Sequence, residues 1–283
     1  MRRVCFYHAG CPDGFGAAWA VWKAWGERGE YRPRGHDDAL DPWDFDGAEV
    51  VFVDIAAPND VLSGLLTTAD RVTVLDHHVS TRSRYESDAE LVAAVERSDH
   101  EVIFELDHSG AVLAWQHFGG SEPVPDLLLY VEDQDLWNWK LPESEAVNAA
   151  IGSYPHRFNV WDELAARPVA ELAAEGQPIL RAQKVEVTRL LGDAHQIRIG
   201  DLSVEAVNAV HHRSLIGHEL AARSAFDRPV GCVYRVVGAR VNASLYSIGD
   251  LDTSVIASRY DGGGHRNASG FSVPLEDWLR DFV

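Results

Sequence analysis

Short apolar runs, each closed by a polar cluster, alternate with stretches of helical periodicity through the first half of the chain. Arg3 to Tyr7 reads as a buried strand closed by His8. The Gly-rich turn Gly10-Cys11-Pro12-Asp13-Gly14 then opens a helix in which Phe15, Ala18, Trp19, Trp22 and Trp25 share a face, and Gly26 stops it. Tyr31 to His36 reads as an edge strand interrupted by Pro33, and Asp37 to Asp46 as a polar connection. Glu49 to Val53 is a strand closed by Asp54, followed by a helix near Asp60 to Ala69. Val72, Val74 and Leu75 form the next strand, closed by Asp76, His77 and His78. Thr81 to Arg97 is partly helical and Val102 to Leu106 is a strand. Ala111 to Phe118 is a helix capped by Ser109, and a helix from Asp126 to Val131 runs into Glu132-Asp133-Gln134-Asp135.

The second half changes character. Asn159 to Leu191 is rich in Ala, Glu, Leu and Arg and predicts helices broken near Pro168 and Pro178. Ile197 to Ile199 and Ser203 to Val210 read as strands, Ile216 to Phe226 as a helix, and Val230 to Val237 with Arg240 to Ser247 as a hairpin about Gly238. A helix near Thr253 to Tyr260 leads into Gly262-Gly263-Gly264-His265-Arg266-Asn267-Ala268-Ser269-Gly270. The alternation predicts an α/β protein, with a doubly wound, mostly parallel sheet in an N-terminal domain (1–155). A helical connector (156–194) would join it to a smaller mixed α/β C-terminal domain (195–283).

Composition narrows the function. The chain has 283 residues, 46% of them hydrophobic, enough for two cores and too apolar for general disorder. No apolar run reaches the length of a membrane span, and Met1-Arg2-Arg3 leads into a strand rather than a signal-peptide core, so the expected location is the cytoplasm, with no membrane partner. Three cysteines, Cys5, Cys11 and Cys232, suit a reducing compartment and form no disulfide framework. Forty-four acidic against 25 basic residues give a formal charge of −19. Long duplex nucleic acid is gripped by neutralising many phosphates, so this surface favours short oligonucleotides or nucleotides.

The candidate chemistry lies where predicted strands end. His8, Asp54 and Asp76-His77-His78 each close a strand, and ligands of open α/β sheets bind at that edge. With Asp13 and the Asp133-Asp135 cluster they supply imidazoles and carboxylates from separate elements, as hydrolytic metal centres do. Asp107-His108 reads as a polar turn, and Trp137 and Trp139 as packing residues, with base stacking as the alternative. His211-His212 reads as polar surface.

The order His8 with Asp13, Asp54, Asp76-His77-His78 and Asp133, followed by the glycine-rich Gly262 to Gly270 stretch, resembles the DHH phosphoesterase superfamily. That superfamily includes RecJ-like exonucleases, nanoRNases and family II pyrophosphatases, and the likeness extends to its DHH-associated C-terminal domain. The resemblance implies an active site in the cleft between the domains, holding one or two Mn ions, with Mg or Zn less favoured. By the same resemblance Asp54 would bridge the ions, Asp13, His77 and Asp133 would hold one, and His8 the other. Asp76 would orient His77, and His78 would face the scissile phosphate. Gly263, Gly264, His265, Arg266 and Asn267 would bind a substrate phosphate. Asp135 competes with Asp133 for the fourth motif. Many relatives carry an aspartate where this chain has Cys11, which leaves Cys11 as a further ligand candidate or a small residue in a tight turn.

The implied activity is a Mn-dependent phosphoesterase, acting on short oligonucleotides, dinucleotides or nucleotides as a monomer or homodimer. The alternatives are a RecJ-like single-strand exonuclease, an inorganic pyrophosphatase or polyphosphatase, and a non-catalytic nucleotide-binding module.

Overall fold

A computed structural model describes residues 1–35 and 38–283. The chain divides into two compact units, Met1–Leu180 and Arg181–Val283, so the division falls inside the stretch expected as the connector. The C-terminal end of the expected edge strand, His36, and the start of the polar connection, Asp37, lie outside the described residues.

In the first unit, β1 (Arg3–His8) leads into α1 (Pro12–Trp25), which ends at Gly26, whose φ of 58° favours glycine. Then follow β2 (Glu30–Arg34), β3 (Glu49–Val53), α2 (Asn59–Thr68), β4 (Arg71–Asp76), α3 (Val79–Glu86), α4 (Ala89–Glu96) and β5 (Glu101–Phe104). The helices α5 (Gly110–Phe118), α6 (Asp126–Asp135), α7 (Ser144–Ile151) and α8 (Phe158–Ala165) complete this series, and α9 (Val169–Leu190) follows them. Pro178 lies inside α9 rather than breaking it, a correction to the sequence expectation. Asp133 and Asp135 prove to be in the last turn of α6, not beyond its end.

The sheet is all parallel in the order β2-β1-β3-β4-β5. Val50 to Val53 and Val72, Val74 and Leu75 are almost fully buried, as strands covered on both faces must be. One face packs under α1, α5 and α6 through Trp19, Val51, Leu128 and Trp161; the other packs under α2 and α4 through Phe52, Leu62, Leu65 and Leu91. The strand order reverses between β1 and β3, and open α/β sheets bind ligands at that switch point, outside the carboxyl ends of the strands. Tyr7 pairs with Val53 and Val53 with Leu75, so the next residues, His8, Asp54 and Asp76, come to one level at the carboxyl ends of the strands.

The second unit is a six-stranded mixed sheet in the order β10-β11-β9-β8-β7-β6. It is built from β6 (His195–Ile199), β7 (Leu202–Asn208), α10 (Arg213–Arg223), β8 (Val230–Val237), β9 (Arg240–Ser247), α11 (Thr253–Ala257), β10 (Gly263–His265), β11 (Ala268–Pro274) and α12 (Leu275–Asp281). Only β7 and β8 run parallel. The expected hairpin about Gly238 has the expected bounds. The glycine-rich stretch, read as a loop, is largely strand: β10 and β11 form an antiparallel hairpin turned by Arg266 and Asn267. Ile216, Leu220 and Tyr246 fill the core beneath α10, and Ile256, Trp278 and Phe282 fill the opposite face.

His218 of α10 is 8% exposed, its ring 5.2 Å from that of Tyr246, and burial pushes its pKa down to about 4. An unfolded imidazole titrates near about 6.5, so between these values only the unfolded chain takes the proton. His218 therefore contributes stability above pH ~6.5 that is lost as the pH falls toward ~4, up to about 3 kcal/mol. Thermal unfolding of wild type and His218→Gln from about pH 7 to about pH 4 checks this: the variant's melting temperature should fall less steeply.

Candidate metal centre

Two glycines let the elements of the site approach. A Cβ on Gly14, in the first turn of α1, would stand 2.2 Å from the His8 carbonyl oxygen; one on Gly110, at the start of α5, would stand 2.4 Å from the Asp54 Cβ. Asp54 itself has φ 58°, a left-handed backbone that aspartate tolerates better than bulky residues do. That turn swings its carboxylate off the end of β3 and toward the residues that follow β1 and β4.

The Asp54 carboxylate faces two donor sets. Its Oδ1 lies 3.0 Å from His77 Nε2. Its Oδ2 lies 3.3 Å from His8 Nδ1 and accepts from the Cys11 thiol at 3.5 Å. Around His77 Nε2, Asp13 Oδ2 and Asp135 Oδ2 each stand at 3.6 Å. Asp13, Asp54 and His77 are about 1% exposed, whereas the Asp135 side chain is 29% exposed. Donor atoms of Asp13, His77 and Asp135 lie within 4.8 Å of one another, as do those of His8, Asp54 and His78.

The electrostatics follow from this crowding. Burial, then the charges of Asp54 and Asp135, push Asp13 well above the usual carboxylate range. Burial opposes ionisation of Asp54 too, but hydrogen bonds from His77 and His8 outweigh it and hold that carboxyl well below the usual range. Burial would favour neutral His77, but Asp54, Asp135 and Asp13 overcome it and raise the imidazole to about 10. In the protein alone a protonated His77 offsets the massed carboxylates. Burial and then Asp54 keep Cys11 protonated. Carboxylates, imidazoles and a thiol held this close, with one carboxyl forced toward its neutral form by burial and by its neighbours, fit divalent cations, which would take over the charge compensation.

Asp13 is also fixed by the N-terminus of α5, whose Gly110 and Ala111 amides donate to its two oxygens at 2.8 and 3.0 Å. The sequence reading missed Gly110; its only signal was a glycine directly after the capping Ser109. Asp107-His108 is the expected polar turn, with His108 Nδ1 3.1 Å from Glu132 and the Ser109 amide donating to the same oxygen.

Two expected roles change. Asp76, fully buried, places Oδ1 2.7 Å from His78 Nδ1 and accepts from the His77 and His78 amides, so it orients His78 rather than His77. Asp133 stands outside the set around His77, which draws on Asp13 and Asp135; its two oxygens accept the Lys140 and Leu141 amides at 2.9 and 3.1 Å. It ties down a loop in which Trp137 and Trp139, at φ 55° and 52°, hold a backbone that bulky residues rarely adopt; their rings meet edge to face at 5.0 Å. Asp135, one helical residue pair further on, points to His77 instead. In the second unit, Arg266 donates to Asp250 and Asn267 to Ser247 and Gly249, which brace the β10–β11 turn. Gly263, Gly264 and His265 lie in β10 beside that turn.

No family model matches the chain. A curated relative, uncharacterized protein R106 of Acanthamoeba polyphaga mimivirus, is 26% identical over 95% of this chain and 67% of its own length. Among solved structures, the pGpG-specific phosphodiesterase PggH from Vibrio cholerae aligns over 99% of this chain and 96% of its own, with TM-score 0.49 and 12% identity. An exopolyphosphatase-related protein from Bacteroides fragilis aligns over 99% and 89%, with TM-score 0.40 and 12% identity. Among the described residues no helix is long and apolar enough to cross a membrane.

The two aspartates at the end of α6 should separate cleanly. Asp135→Asn should weaken divalent-ion binding about tenfold or more while leaving the melting temperature of the ion-free protein nearly unchanged. Asp133→Ala should instead lower that melting temperature, since the half-buried loop loses two hydrogen bonds to a carboxylate, each worth about 1.5–3 kcal/mol. Ion titration by calorimetry together with thermal unfolding would check both, and an Asp133 variant that loses ions as Asp135 does would return Asp133 to the ligand set.

Proposed function

We propose that this protein is a two-metal phosphoesterase of the DHH type, hydrolysing short nucleotide phosphodiesters. The observation that carries the reading is the Asp54 carboxylate, with Oδ1 on His77 and Oδ2 on His8 and Cys11. A carboxylate presented in this way, buried at a sheet's switch point, is suited to bridge two cations. Asp13, His77 and Asp135 would hold one ion with Asp54, a set of oxygens and one imidazole that suits Mn. His8 and Cys11 stand on the other side of Asp54. When bound, such ions would supply an activated water and neutralise phosphate charge.

The chain's own groups do the rest. The α5 amides hold Asp13, and the left-handed turn holds Asp54, so both carboxylates are positioned before substrate arrives. Asp76 fixes the orientation of the His78 ring through Nδ1. Burial would keep His78 neutral, but Asp76 raises its pKa above the usual value, so it favours donating a proton to a phosphate oxygen. The β10–β11 turn, with Gly263, Gly264, His265, Arg266 and Asn267, would hold a phosphate that is not attacked. Arg266 is half exposed, and its guanidinium meets the exposed Asp250 carboxylate at 3.2 Å and carbonyl at 2.8 Å, surface contacts that a phosphate can exchange. The formal charge of −19 supports a short substrate over a long polyanion.

A panel of linear dinucleotide, short single-stranded oligonucleotide and inorganic pyrophosphate with added Mn, read by product identity, tests the reading. Mononucleotide release from the dinucleotide is the expected result; hydrolysis of pyrophosphate alone would reassign the substrate, and no hydrolysis would leave a nucleotide-binding module. Asp54→Ala should lower both turnover, by more than about 100-fold, and ion content, because both ions lose a ligand. His78→Ala should lower turnover by about 10²–10³ with ion content kept.

A further inference from the structure

His8, Cys11 and Asp54 form a second donor set that differs in chemistry from the one around His77. His8 Nδ1, Cys11 Sγ and Asp54 Oδ2 are mutually separated by 3.3, 3.4 and 3.5 Å. A tetrahedral zinc-like ion, with bonds of about 2.0 Å to nitrogen or oxygen and about 2.3 Å to sulfur, sets its nitrogen–oxygen edge near 3.3 Å and its edges to sulfur near 3.5 Å. The three atoms thus already span one face of such a tetrahedron. The other two cysteines, Cys5 and Cys232, are each fully buried in an apolar core of their own unit.

The position of Cys11 gives a competing structural explanation. Its sulfur accepts the Gly14 amide at 3.3 Å and so caps α1. A thiol is a poor helix cap beside Ser, Thr, Asp or Asn, so capping alone does not account for cysteine at this position. Capping also leaves the contacts to His8 and Asp54 unexplained.

We propose that the centre is asymmetric: His8, Cys11 and Asp54 form a nitrogen–sulfur–oxygen site for a thiophilic divalent ion of the zinc, cobalt or ferrous class. The oxygen-rich set of Asp13, Asp54, His77 and Asp135 takes the harder ion. The inference rests on the proposed two-metal reading and deepens it. Three protein ligands leave one tetrahedral position for water, a substrate oxygen or the His78 ring, whose donor atom lies within 4.8 Å of those of His8 and Asp54. Sulfur ligation binds Cys11 as thiolate and passes its proton to solvent. Soft ligands select ions by type, so the two sites would load different metals from a mixture.

The test is an anaerobic titration of the full chain with Co²⁺ alone, followed by absorption, on wild type, Cys11→Ser and Cys11→Asp. Both variants keep a side-chain acceptor for the first turn of α1, so the helix start survives, and circular dichroism confirms the fold. Wild type should show a near-ultraviolet thiolate-to-cobalt band saturating at one ion per chain, absent from both variants. Competition with Zn²⁺ should show one site weakened by at least the roughly 10–100-fold that loss of an outer-shell partner costs. In a mixture of Zn²⁺ and Mn²⁺, wild type should retain one of each by elemental analysis, and Cys11→Asp should lose the zinc preference. Cobalt ligand-field bands without the thiolate band, or a band that persists in the variants, would overturn the sulfur ligation while leaving the two-metal reading standing. No cobalt binding at all would overturn both.

Discussion

Asp54 is the constraint on which the rest of the site depends. A carboxylate at 1% exposure would ordinarily give up its charge, yet imidazoles on both of its oxygens keep it ionised. To reach both, it must leave β3 in a left-handed turn, and that turn brings its Cβ so near α5 that only glycine fits at position 110. The same close approach aims the first amides of α5 at Asp13. One backbone geometry thus places two carboxylates, and burial, then the charges of Asp54 and Asp135, raise Asp13 and call for positive charge nearby. His77 provides it in the protein alone. A cation in its place would release that proton, which couples ion binding to pH.

Chemically identical side chains take different roles here according to which backbone amides they meet. Asp133 and Asp135 sit two residues apart on α6, but Asp133 accepts amides of the following loop and Asp135 faces His77. Asp76 and Asp54 close adjacent strands, yet Asp76 turns back to its own segment, bonding the His77 and His78 amides and the His78 ring. The consequence is a division between groups that gather charge and groups that hold another residue in place.

The alternation of apolar runs with helical periodicity determined the α/β class and the strands β1, β3 and β4, because a strand buried on both faces must be apolar throughout. It also located His8, Asp54 and Asp76 at strand ends, and the hairpin about Gly238, since a two-residue turn with glycine has few other readings. What the sequence could not determine were relations across distance. Whether Asp133 or Asp135 faces His77 depends on the path of the Trp137–Leu141 loop, and which histidine Asp76 holds depends on the turn after β4. The need for Gly110 arises only because Asp54 bends toward it. Pro178 stays inside α9, where its local helix-breaking tendency is overridden, and the glycine-rich stretch pairs as β10 with β11 because β9 offers an edge to extend. Periodicity is a local property, and the chain carries it in full. Ligand sets are decided by contacts between residues far apart in sequence, and those exist only once the sheet's register has brought the strand ends to one level.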